Sequence, residues 1–152
     1  LEKRKDLAVV IIGEGEAKNE LIELSRTLNV IDRTLFLDYL PTPYNYLSLF
    51  DVYAMCSRSE GFGLAAVEAT LMQTPVVCSN ISIFKEIFDD TKVSFFELDN
   101  ISSLLESINI AISTIGKLKA KVALNYSLNN FSGYKMASNY LDIYSNLLNG
   151  KI

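Results

Sequence analysis

With 152 residues, 17.0 kDa, 49% apolar and 21% charged side chains, the sequence is long and apolar enough for one domain with a real core, which excludes a disordered chain. Its formal charge of −4 and pI near 4.8 argue against a nucleic-acid backbone as partner and against an electrostatic grip on anionic lipid. There is no histidine, which removes Ser-His and Cys-His nucleophile pairs and the commonest zinc ligand.

The sequence opens at Leu1 with a charged LEKRKD segment, which reads as the start of a piece excised from a longer protein. No signal peptide is visible, and no apolar run approaches the ~20 residues of a membrane span. Leu7 to Ile12, LAVVII, is the clearest strand, and it ends in Gly13-Glu14-Gly15-Glu16. A helix is predicted from Ala17 to Leu28 with Leu21, Ile22, Leu24 and Leu28 on one face. Arg33 to Leu37 reads as a second strand, Leu40-Pro41-Thr42-Pro43 as a turn, and Tyr44 to Phe50 as a short helix.

Val52 to Cys56 and Pro75 to Cys78 are short apolar runs suited to strands buried on both faces. Between them lie a polar, glycine-bearing loop, Ser57 to Gly63, and a helix, Leu64 to Met72. Cys56 and Cys78 end these strands and read as buried, reduced thiols. Ser82 to Phe88 is a further short helix with Ser82 as its N-cap, and Asp89-Asp90 a turn. Lys92 to Leu98 is a fifth strand. Helices follow over Ser102 to Ile115 and Lys117 to Asn129, and Ser132 caps a last helix with Ala137, Tyr140, Leu141, Tyr144 and Leu148 on one side. Strands alternating with helices predict an α/β fold: a doubly wound, Rossmann-like parallel sheet with helices on both faces, forming one domain over 1–152.

Ligands of such sheets sit beyond the carboxyl ends of the strands. Those ends carry Gly13-Glu14-Gly15, Asp38-Tyr39-Leu40, Ser57 to Gly63, and Ser79-Asn80. The amides of Phe62, Gly63 and Leu64 fall at a helix start, where unpaired N–H groups and the macrodipole favour a diphosphate. Gly61 and Gly63 let a ligand approach the backbone. Glu60 and Glu68, eight positions apart, are spaced to hold two sugars of one elongated ligand, not to flank a single bond. Either carboxylate spacing or glycine pair alone occurs often by chance. Joined as SEGFGLAAVEA between two strands, they form a specific signal. The tyrosines at 39, 44, 46 and 53 read as packing and surface residues, and only Tyr39 stands at a strand's carboxyl end. Arg58 is open to pairing with a phosphate or with a surface carboxylate.

SRSEGFGLAAVEATLMQTPVV resembles the signature of the group-one (family four) retaining glycosyltransferases, with its E-G-F-G-L and E-x7-E elements. VVIIGEGE and DRTLFLDYLP extend the likeness over most of the chain. The resemblance implies the C-terminal, donor-binding half of a GT-B enzyme. It assigns Glu60 to the transferred sugar of a nucleotide donor, catalytically the central residue, and Glu68 to the ribose hydroxyls. Phe62, Gly63 and Leu64 would offer amides to the sugar and diphosphate, with Gly61, Ser57 and Arg58 in the same loop. Gly13, Glu14 and Gly15 would line the diphosphate, and Tyr39 and Leu40 the base. The implied substrate is a nucleotide-sugar, foremost a UDP-sugar, with no metal and no further cofactor. The implied partner is an N-terminal acceptor half, and the implied setting is polysaccharide or lipid-linked glycan synthesis in the cytoplasm, peripheral to the inner membrane face through that half.

The sequence departs from the family at Gln73 and Asp38, both usual glycines, and in lacking the late glycine-bearing turn in DDTKVSFFE. The cationic residues that stabilise the leaving diphosphate belong upstream of the first strand, and Lys3, Arg4 and Lys5 sit too close to it to match them. The chain alone is therefore expected to bind a donor without turning it over. Two alternatives stand beside this reading. One is a non-catalytic nucleotide-binding module. The other is a phosphoryl-accepting domain, disfavoured because Asp51 lies at the wrong end of its strand and Asp99 follows the fifth.

Overall fold

The computed structural model describes residues 4–150. The chain divides after Pro43 into two compact units.

In the first unit, strands β1 (Val9–Ile12) and β2 (Thr34–Leu37) pair in parallel, Val9 opposite Thr34 through Ile12 opposite Leu37. The β-branched run of β1 favours the pleated conformation. Helix α1 (Lys18–Thr27) connects them and ends on Asn29 at φ 53°, where Asn29 N–H donates to the Arg26 carbonyl and Val30 N–H to that of Ser25. That is a Schellman cap, and asparagine is the non-glycine residue that tolerates it best. The Arg33 guanidinium donates to the carbonyls of Arg4 and Leu7 at 2.8 and 3.0 Å, tying β2 to the segment before β1. Leu21, Leu24 and Leu28, expected to be covered, are 40–50% exposed. A sheet of two four-residue strands is too narrow to cover a ten-residue helix.

The second unit contains a parallel sheet in the order β3 (Tyr53–Met55), β4 (Val76–Ser79), β5 (Ser94–Phe96). All of β4 is buried. Val76 and Cys78 enter one core with Ala66, Val67 and Ala69 of helix α2 (Leu64–Leu71) and Phe84 and Ile87 of α3 (Ser82–Ile87). Val77 enters the opposite core with Phe96 and with Ala111 of α4 (Ile101–Ile112). The period-two alternation of a strand thus places helices on both faces, the doubly wound arrangement expected from the sequence. The short helix expected over Tyr44 to Phe50 is a 3₁₀ helix, Pro43–Leu49.

Three local expectations change. Ser82 does not cap α3: Ile81 holds the N-cap position in extended conformation, and no side chain bonds there. The helix expected to run to Ile115 stops at Ile112, because Ser113 turns extended and its hydroxyl caps a separate helix α5 (Thr114–Asn130) by accepting from Ile115 N–H at 3.1 Å. Gly116 explains the tightness of that corner, since a Cβ there would lie 1.9 Å from the Ala111 carbonyl oxygen. Cys78 is free and buried, as expected, and burial pushes its thiol up to about 12. Cys56, also free, is exposed instead, because it stands just past the last residue of β3.

Ser132 caps the last helix, α6 (Gly133–Leu148), as the sequence predicts, accepting from Lys135 N–H at 3.1 Å. No residue of α6 is buried, and Tyr140, Leu141 and Tyr144 remain more than half exposed. Among the described residues no helix is long and apolar enough to cross a membrane.

Gln73 adopts φ 57° one residue past the α2 cap. Gln73 N–H donates to the Thr70 carbonyl and Thr74 N–H to that of Ala69, both at 3.0 Å, so the left-handed cap survives without glycine. Gln73→Gly should therefore raise unfolding stability by about 0.5–1 kcal/mol, the left-handed strain outweighing the entropy of glycine. Urea unfolding would read it, and an unchanged or lower midpoint would refute it.

Candidate functional site

Strand β3 delivers the chain into the 57–63 loop, and the loop opens α2. Ser79 Oγ, at the end of β4, donates to the Ser57 carbonyl at 2.5 Å and fixes the start of the loop. Ser57 Oγ then donates to Glu60 Oε1 at 2.6 Å and orients that carboxylate. At the far end Gly63 takes φ +80° as the α2 N-cap. Its position is dictated by packing: a Cβ would lie 2.4 Å from Phe84 Cε1. The sequence reading of Gly63 as room for a ligand is thus corrected, because the missing Cβ faces Phe84. Gly61 does face open space, since a Cβ added there would meet nothing within 4 Å.

The α2 N-terminus has no side-chain cap, and the amides of Phe62, Gly63 and Leu64 find no acceptor among the described residues. Unpaired donors at a helix start favour an anion, and of these three residues Phe62 and Leu64 are exposed while Gly63 is buried. Leu64 and Phe62 expose their side chains beside that helix start. Glu68, a turn further along α2, is partly exposed.

Tyr53 belongs to this neighbourhood, although the sequence reading assigns it to packing. Burial, then the charges of Glu60 and Glu68, and then Cys56 push its phenol up to about 12. Both carboxylates therefore act on one point, which their sequence separation alone does not require. No periodicity marks Tyr53 among the neighbouring tyrosines; its place on β3, just before the loop, is the only sequence signal. Because the neutral phenol is favoured in the folded chain, stability is intact below pH 10 and falls as the pH rises from about 10 through 12, by roughly 2–3 kcal/mol when complete. An ultraviolet phenolate titration should show one tyrosine ionising near 12, and Glu60→Gln or Glu68→Gln should each lower that value. A value unmoved by both substitutions would contradict the shared neighbourhood.

Arg58 is placed otherwise than as a ready phosphate ligand. Its guanidinium donates to both oxygens of Asp99 at 2.9 and 2.6 Å, an exposed bidentate pair. Asn80, beyond β4, donates through Nδ2 to Glu97 at 2.6 Å.

In the first unit, Gly13, Glu14 and Gly15 stand at the carboxyl end of β1, beside the end of β2, with Gly13 N–H bonded to the Leu37 carbonyl at 3.1 Å. All three are exposed, and a Cβ added at either glycine would meet nothing within 4 Å. Tyr39 is 70% exposed and Leu40 partly buried. Asp38, the residue in place of a usual glycine, forms an ion pair with Lys18 in the first turn of α1. Among the described residues no three Cys, Asp or Glu side chains cluster as a metal site.

The model of the family "Glycosyl transferases group 1" matches residues 1–125. The O-antigen biosynthesis glycosyltransferase WclY of Escherichia coli is 36% identical over 147 residues, 97% of this chain and 41% of that protein. An N-acetylgalactosaminyltransferase of Campylobacter jejuni acting on a diphospho-undecaprenol substrate is 33% identical over 107 residues, 69% of this chain and 29% of that protein. Among solved structures, HepE of Anabaena in complex with UDP-glucose superposes with a TM-score of 0.84 at 20% identity, covering 93% of this chain and 42% of that one. A glycosyltransferase from Rickettsia africae gives 0.84 at 22%, covering 96% and 41%. These superpositions establish the fold, that of GT-B glycosyltransferases. The chain spans about two fifths of the length of the WclY relative. With the family model matched across most of its length and WclY similar across nearly all of it, this chain belongs to the group 1 glycosyl transferases.

Proposed function

We propose that the chain is the donor-binding half of a retaining glycosyltransferase that moves a sugar from a nucleotide-sugar, foremost a UDP-sugar, to a glycan or lipid-linked acceptor. The observation that carries this reading is the α2 N-terminus, where the amides of Phe62, Gly63 and Leu64 take no acceptor among the described residues and Ser57 holds Glu60 in the loop just before them. In this scheme the amides receive the diphosphate and stabilise its charge as the sugar leaves. Glu60, held by Ser57, accepts hydrogen bonds from the transferred sugar. Glu68 accepts from the ribose hydroxyls. In the first unit, Gly13, Glu14, Gly15, Tyr39 and Leu40 keep in this proposal the roles that the resemblance implies for them. An exposed ion pair contributes little, so Arg58 can exchange Asp99 for a phosphate oxygen.

No metal is required in this scheme, since backbone amides and cations supplied upstream of the first strand meet the leaving charge. The acceptor half is an N-terminal partner domain, and the uncovered apolar face of α6 is the surface offered to it. The greater length of WclY supports such a domain. The chain alone binds donor without turnover. The diphospho-undecaprenol substrate in the name of the Campylobacter relative supports an acceptor held at a membrane surface, and the reading places the reaction in the cytoplasm, peripheral to the inner membrane face. Calorimetry with UDP, GDP and common UDP-sugars, with and without EDTA, tests the scheme. Saturable UDP-sugar binding indifferent to EDTA is expected, and no binding of any nucleotide would refute it.

A second reading, a nucleotide-binding module without catalysis, is favoured by the Lys18–Asp38 pair at the position of a usual glycine. Turnover on joining this chain to its acceptor half would exclude it.

A further inference from the structure

We propose that Phe131, at the junction of α5 and α6, is a positioning residue for the 60–64 loop, resting on the donor-binding reading above. The loop carries two glycines around Phe62, and glycines leave a backbone free to wander unless something outside the loop fixes it. The Ser57–Glu60 hydrogen bond holds one end, and the packing of Gly63 on Phe84 the other. Phe62, between them, is 41% exposed and so is not held by burial. Its ring meets Phe131 edge to face, centroids 5.7 Å apart at 84°. Phe131 meets Tyr126 in the same way, at 5.6 Å and 80°. The Lys92 ammonium stands 4.6 Å over the Tyr126 ring and is itself paired with Asp89.

Phe131 can transmit this order because its own backbone is fixed on both sides. Its N–H closes α5 on the Ser127 carbonyl at 2.9 Å, and the next residue, Ser132, caps α6. Both Tyr126 and Phe131 pack against the core that contains Phe84 and Val93. The aromatic chain therefore runs from the core to Phe62, whose own amide and that of Gly63 take no acceptor among the described residues. Edge-to-face geometry is directional, so it fixes the Phe62 ring in orientation as well as position. An error of about 1 Å in the amides of Phe62, Gly63 and Leu64 is enough to weaken their grip on a diphosphate substantially.

The test compares the full chain with Phe131→Ala, Phe131→Tyr, Phe62→Ala and the double alanine variant, using UDP-glucose calorimetry and backbone NMR order parameters. Phe131→Ala should weaken UDP-glucose binding by about 5- to 10-fold and lower the order parameters at Phe62–Leu64, leaving those of α4 unchanged. Phe131→Tyr should recover both, and the double variant should bind no more weakly than the weaker single one, since both remove the same contact. Wild-type binding with an unaffected Phe131→Ala, or losses that simply add, would overturn this role alone. Wild-type chain that binds no nucleotide would overturn the donor-site reading and this role with it.

Discussion

Glu68→Gln should weaken UDP binding to this chain by about 10- to 100-fold while leaving its unfolding midpoint within experimental scatter. The size follows from chemistry: an ionised carboxylate accepting from ribose hydroxyls contributes about 1.5–3 kcal/mol, and about 1.4 kcal/mol is tenfold in affinity. Glutamine keeps the shape but loses the charge and one acceptor oxygen. The fold is spared because the Glu68 side chain takes no hydrogen bond among the described residues and stands on the partly exposed side of α2. Glu60→Gln should behave differently. It should leave UDP binding nearly intact and reduce only the additional affinity that the sugar confers. Equal losses for UDP from both substitutions would contradict the division of labour. Unchanged UDP binding in Glu68→Gln would remove the ribose role.

Gly63→Ala should destabilise the second unit strongly through a single methyl. The residue is left-handed at φ +80°, which costs an L-residue about 1–2 kcal/mol. The added Cβ would stand 2.4 Å from Phe84, a ring at 0% exposure in the centre of the core, and overpacking of that kind costs about 1–3 kcal/mol. Together these predict a loss of about 2–5 kcal/mol, readable by urea unfolding. Phe84→Leu in the same chain should recover part of it by removing the ring edge. Gly61→Ala serves as contrast: its Cβ meets nothing, so stability should hardly change. A Gly63→Ala protein as stable as Gly61→Ala would show that the loop packs elsewhere.

The strands and α2 are legible in the sequence because their signals are local: VVII pairs as written, and SEGFGLAAVEA carries its own loop, cap glycine and apolar spacing. What escapes the sequence depends on contacts between distant segments. The separation of α4 from α5 comes from the close pass of Gly116 over Ala111, and apolar periodicity runs through it without a break. Gly63 looks like ligand room until Phe84 is seen against it. Tyr53 joins the carboxylates only because β3 ends where the loop begins, and Phe131 reaches Phe62 from the other end of the unit. The sequence leaves Arg58 open to either partner, and the structure pairs it with Asp99, a carboxylate held in left-handed backbone at φ 58°.

A crystal structure of the chain soaked with UDP-glucose tests the central claim most directly. The account predicts Glu68 within about 3 Å of the ribose hydroxyls, the diphosphate on the amides of Phe62, Gly63 and Leu64, and Glu60 facing the glucose. A nucleotide bound elsewhere, or one bound here with either carboxylate turned to solvent, would contradict it.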